Sequence, residues 1–110
     1  MKLLNPNQAL VEREKIVDYL LNPAHPDNGG KAAFFIALGF GRENWQTLAT
    51  AFGKLADNGL VVKSLETAHG HKYILDGRIE APGGKTAEVR TVWIVDRGLD
   101  RPRLVTAYPQ

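Results

Sequence analysis

The sequence predicts an α+β domain, with two to three N-terminal helices packed on a three- to four-stranded antiparallel β-meander. Two observations carry this. Apolar residues recur at helical spacing through the first half, and after Gly59 the period changes to the alternation of strands. Runs of helix followed by runs of strand belong to the α+β class. A length of 110 residues fits one domain, 1–110, with one modest core.

The elements follow in order. Leu10, Glu14, Val17 and Leu21 form one stripe, with Ile16 and Leu20 beside it, which predicts a first helix over Gln8–Leu21. Asn22-Pro23 ends it, because a residue before proline is pushed away from helical angles. Pro23 to Gly30 is a tight loop with two prolines and two glycines. A short helix follows over Lys31–Leu38, apolar nearly all round and therefore expected to be buried, with Gly39 as its C-terminal cap. Trp45, Leu48, Phe52 and Leu55 mark the seam of a third helix over Glu43–Asp57, stopped by Asn58-Gly59. Leu60-Val61-Val62 opens an extended piece, and Thr67 to His71 reads as a hairpin turn. Lys72–Ile79 alternates around Tyr73 and Leu75. Ala81 to Lys85 is a second hairpin turn. Thr86–Val95 is rich in β-branched residues, Gly98 to Pro102 turns the chain, and Arg103–Tyr108 is the last strand.

Composition narrows the chemistry. A hydrophobic share of 44% and a charged share of 24% argue against disorder. No apolar stretch reaches the roughly 20 residues of a membrane span, and Met1 to Pro6 is too short an apolar run for a signal peptide. The expected setting is a cytoplasm. With no cysteine, disulfides, cysteine nucleophiles and thiolate zinc sites are excluded. A formal charge of +2 and a pI near 9.0 tolerate a nucleic-acid partner without demanding one.

Four residues suggest a metal-free site for a phosphodiester: His25, Lys31, Arg90 and Thr106. Histidine suits proton transfer because its pKa lies near about 6.5, and Pro23 and Pro26 hold the backbone of His25 on either side. Lys31 opens a helix, where free N–H groups and a positive end favour phosphate. Arg90 can grip a phosphate at two points; its alternative is a cross-strand ion pair with Asp76 or Glu80. Thr106 is expected on one strand face with Leu104 and Tyr108, so that two hydroxyls address one phosphate. Thr91, Arg103, Tyr108 and His71 complete the expected substrate-binding set. Each has an ordinary counterpart: loop capping for His25, a covering stem for Lys31, β-propensity for the threonines and tyrosine. His69 and His71 are two apart, but Gly70 between them suggests a turn and no third ligand stands nearby, so no metal or cofactor is expected. Tyr73 and Trp93 are taken as core.

The pattern Tyr19-x-Leu21-Asn22-Pro23-x-His25-Pro26, then Gly30-Lys31-Ala32, Phe35 and Leu38-Gly39, resembles a family of uncharacterised bacterial domains. So does the tail, with Val89-Arg90-Thr91-x-Trp93-Ile94, Gly98, Pro102-Arg103-Leu104-Val105-Thr106 and Tyr108-Pro109. Members stand alone or lie at the C-termini of secreted polymorphic toxins. Helices followed by a meander also resemble the barnase–EndoU–colicin E5/D–RelE (BECR) ribonuclease fold, in which many toxins end in a strand with a motif such as Thr106-Ala107-Tyr108. The resemblance implies a metal-independent ribonuclease toxin, with RNA as substrate and a cognate antitoxin or immunity protein as partner. Delivery to a target-cell cytoplasm would follow. The alternative is a non-enzymatic binding module, either an antitoxin or adaptor or a winged-helix nucleic-acid binder. The third helix offers only Arg42, Gln46 and Lys54 against Glu43 and Asp57, which is poor for a recognition helix.

Overall fold

The computed structural model describes residues 2–28 and 30–110; Met1 and Gly29, one of the two loop glycines, lie outside the described residues. Three helices precede a four-stranded antiparallel sheet, in agreement with the α+β reading.

A 3₁₀ turn, Pro6–Gln8, leads to helix α1, which is an α-helical turn, Arg13–Lys15, continued by a π-helical segment, Ile16–Leu20. The expected start at Gln8 is corrected. Leu10 spends its backbone on the sheet: its N–H donates to Pro102 O at 2.8 Å and its carbonyl accepts from Leu104 N–H at 2.9 Å. A residue so committed cannot join a helix. Helix α2 is Lys31–Ala37, closed by Gly39 at φ 104°, where glycine is favoured. Its expected full burial is also corrected. Ala32 and Phe35 are buried, Ala33 and Ala37 are exposed, and Ile36 is 46% exposed. Two turns of helix, packed on α1 and the last strand, cover one side only. A 3₁₀ turn, Arg42–Asn44, opens helix α3, Trp45–Asn58, whose seam of Leu48, Phe52 and Leu55 is buried.

The strands are β1 (Leu60–Thr67), β2 (Gly70–Glu80), β3 (Thr86–Asp96) and β4 (Pro102–Pro109), each paired with the next. Both predicted hairpin turns form. At the first, Gly70 takes φ 151°, and a Cβ there would stand 2.2 Å from Val95 O. The inner face of the sheet, with Leu75, Val89, Thr91, Trp93 and Leu104, packs against Phe35, Leu48 and Phe52 to form the core. Trp45 is half-buried against the same core. Phe35 stands edge-on to Phe52 at 5.8 Å and to Phe34 at 5.0 Å.

One irregularity positions the site. Val92 faces Thr106 while Trp93 faces Leu104, so Val105 is an extra, bulged residue in β4. The bulge puts Leu104 on the core face, opposite Trp93, and Thr106 out of phase with it. The expected shared face of Leu104 and Thr106 is thereby corrected, although Thr106 and Tyr108 remain in step.

Candidate functional site

The site grows from three consecutive turns. His25 N–H donates to Asn22 O at 3.1 Å, Asn28 N–H to His25 O at 3.1 Å, and Lys31 N–H to Asn28 O at 3.2 Å. Asn22 Oδ1 also accepts from Ala24 N–H at 3.0 Å. Prolines at 23 and 26 suit turns of this kind. The loop is stapled to both helices by Asn28, a buried side chain. Its Nδ2 donates to Tyr19 O at 2.6 Å, and its Oδ1 accepts from Ala32 N–H at 2.8 Å in the first turn of α2. That bond occupies part of the helix end that Lys31 was expected to offer to phosphate.

At the centre is Tyr19, in the π segment. Leu21 N–H bonds to Ile16 O at 2.8 Å, five residues back, and such widened turns recur at functional sites. Lys31 Nζ donates to Tyr19 Oη at 3.0 Å, and Thr106 Oγ1 lies 3.0 Å from the same oxygen. The Lys15 and Lys31 ammoniums sit 5.3 and 5.4 Å from the Tyr19 ring centroid. The His25 ring stands edge-on to Tyr19 at 5.0 Å. His25 Nδ1 accepts from Asp27 N–H at 3.1 Å, so in this loop conformation the imidazole proton sits on Nε2. Burial pushes the Tyr19 phenol up, but the bonds to Lys31 and Thr106 and the charges of Lys31 and Lys15 outweigh it, and its pKa falls below the usual value.

Lys15, Tyr19, His25 and Thr106 line an open cleft of about 380 Å³, completed by Asp27 and Val105, and Lys31 stands behind its wall, joined to it through the Tyr19 hydroxyl. Successive strand residues ordinarily face opposite sides; the bulge at Val105 lets both Val105 and Thr106 reach the cleft. Three of the four expected catalytic residues, His25, Lys31 and Thr106, therefore converge, and they do so around Tyr19. Tyr19, Lys15 and Asn28 were missed as site residues. The signal was Tyr19 heading the Tyr19-x-Leu21-Asn22-Pro23 block, and an Asn directly before two glycines.

A family model described as a domain of unknown function, DUF6883, matches residues 2–110. The chain belongs to the DUF6883 family. No curated protein matches it. A solved structure with the same fold superposes with a TM-score of 0.75 at 22% identity, covering 96% of each chain. It comes from a contact-dependent growth inhibition toxin–immunity protein complex of Klebsiella pneumoniae 342.

The other expected residues of this DUF6883 chain lie elsewhere. Arg90 takes its alternative role. Nε and Nη2 grip the Asp76 carboxylate at 2.6 and 2.7 Å, opposite Tyr108 on the outer face of the sheet. Arg103 holds Asp96 in the same two-point manner, at 2.7 and 3.1 Å. Both carboxyls are held below the usual carboxylate range, each first by the hydrogen bond from its arginine. Thr91 is fully buried, accepting from Trp93 Nε1 at 2.8 Å and donating to Leu75 O at 3.2 Å, so it meets no ligand from solvent. His71 pairs with Glu66 and leans on the Tyr73 ring. Among the described residues no three His, Asp or Glu side chains are grouped to hold a metal. A larger groove of about 630 Å³ between α3 and the far end of β2 includes Lys54, Arg78 and Glu80. Arg78 is paired with Glu88 at 2.8 Å, and the groove is lined by none of the expected site residues.

Proposed function

We propose that this domain cleaves RNA without a metal, by attack of a 2′-hydroxyl on the adjacent phosphate, as the active part of a toxin. The observation that carries the reading is the chain Lys31–Tyr19–Thr106, linked at 3.0 Å per step beside His25 in an open cleft. Such a reaction needs a proton acceptor, a cation beside the phosphate and donors to hold it in line. The phenol, imidazole, ammonium and hydroxyl of these four residues supply those groups, and Lys15 adds a second positive charge. The toxin setting is supported by the fold shared with a chain of the growth inhibition complex. It carries the further proposals of a BECR-type ancestry, an RNA substrate met in a cytoplasm and a cognate immunity protein.

The test is purified protein incubated with bulk RNA, transfer RNAs and DNA in EDTA. RNA should be cut to 2′,3′-cyclic phosphate ends, and DNA, lacking the hydroxyl, should survive. His25→Ala should slow cleavage about 10²–10³-fold, the cost of a lost proton carrier or donor, with the melting temperature kept. RNA left intact at high protein excess, with expression harmless to cells, would replace this reading by the binding module.

A further inference from the structure

We infer that Tyr19, rather than His25, takes the 2′-hydroxyl proton, and that His25 serves as a neutral hydrogen-bond donor. The inference rests on the ribonuclease reading and assigns its proton traffic.

Two pieces of geometry lead there. The first is the imidazole. With Asp27 N–H pointing into Nδ1 at 3.1 Å, the neutral ring carries its proton on Nε2 and presents no free lone pair to the cleft. His25 is thus held as a donor. The second is the phenol oxygen. Lys31 and Thr106 each approach it at 3.0 Å, and a phenolate has room for a third donor. The substrate hydroxyl can take that place from the open side of the cleft.

The groups around Tyr19 favour its anion. Lys15 comes from its own helix and Lys31 from α2; the loop adds the His25 imidazole and the Asp27 carboxylate, and β4 adds uncharged Thr106. Two cations against one carboxylate leave the surroundings positive, and the lowered pKa of the phenol agrees with that.

The step balances as follows. The Tyr19 phenolate removes the 2′-hydroxyl proton and becomes the phenol. The 2′-oxygen bonds to phosphorus and the P–O5′ bond breaks, giving the cyclic phosphate. O5′ leaves with a proton from a cleft water, assisted by a hydrogen bond from His25 Nε2–H. The hydroxide formed takes the phenol proton and restores the phenolate. Lys31 steadies charge on the phenolate through its bond to Tyr19 Oη, and Lys15, in the cleft wall, adds positive charge beside the phosphate.

Single-turnover cleavage of a transfer RNA pool in EDTA, followed across pH, tests this. Tyr19→Phe should lose about 10²–10⁴-fold in rate. His25→Gln, which keeps an N–H near the place of Nε2, should lose about tenfold at most. The wild-type rate should rise with pH along a limb that lies below the free tyrosine value of about 10 and is lost in Tyr19→Phe. Thr106→Val keeps the phenol but removes one of its bonds, and should move that limb to higher pH. Tyr19→Phe cleaving within about threefold of wild type overturns the assignment and leaves the ribonuclease reading standing. So does a limb near about 6.5 that vanishes in His25→Gln. RNA untouched by the wild type removes both.

Discussion

Replacing Asn28 by alanine cuts the loop away from both helices at once. The side chain is 3% exposed and makes two bonds, to Tyr19 O at 2.6 Å and from Ala32 N–H at 2.8 Å. Its removal leaves a carbonyl and a buried N–H without partners, and a buried group so stranded costs about 1–3 kcal/mol. Water can enter from the cleft side to reach the Tyr19 carbonyl, so the sum falls at about 2–4 kcal/mol. For a domain of this size that is a melting temperature lower by about 8–16 °C. Asn28→Asp sharpens the test. It keeps the acceptor for Ala32 N–H but sets a carboxylate oxygen against the Tyr19 carbonyl. The new carboxyl can bond there only when protonated, so its folded pKa is raised. The stability it supplies is present below the unfolded value of about 3.9 and is lost as pH rises. Thermal melts by circular dichroism at neutral and acid pH measure both effects. A melting point for Asn28→Ala within about 2 °C of wild type would refute the staple.

Two other outcomes are expected. Phe35→Ala, at a fully buried ring with aromatic neighbours on three sides, should lose about 3–5 kcal/mol in urea unfolding. The Asp76 and Asp96 carboxyls titrate lower in the folded chain than the unfolded value of about 3.9. Their stabilisation is therefore complete above that pH and is lost as pH falls through the folded values. Arg90→Gln should make the urea midpoint less sensitive to acid, and an unchanged acid limb would show that the pair is energetically idle.

The helix-then-strand plan was legible because both periods are local. Leu48, Phe52 and Leu55 repeat at three and four, and β3 alternates down to Trp93. His25, Lys31 and Thr106 were legible as candidates from residue type, but that they meet is a fact of the fold. Their centre was not. Tyr19 falls in a stretch that reads as an ordinary helix of 3.6 residues per turn, and the π turn that aims it leaves no mark on apolar spacing. The bulge at Val105 is equally silent, since one extra residue in a strand looks like any other Val. Arg90 and Arg103 were drawn toward the site by their chemistry. Register decided otherwise, placing Asp76 directly opposite Arg90 and Asp96 within reach of Arg103. Thr91 was claimed by the indole beside it.

Tyr19 and Thr106 are 87 residues apart, and the bond between them has no local substitute. The hairpins of β1 to β3 can form from near neighbours, yet none of them contains two members of the cleft. Only the docking of β4 along β3, and of Leu10 along β4, brings the hydroxyl to the phenol. A chain in which β4 has not yet docked has every reactive group and no site. The same holds for a chain threaded unfolded through a narrow opening. Whatever this cleft does is withheld until β4 has settled on β3, so an unfolded molecule carries the groups without their chemistry.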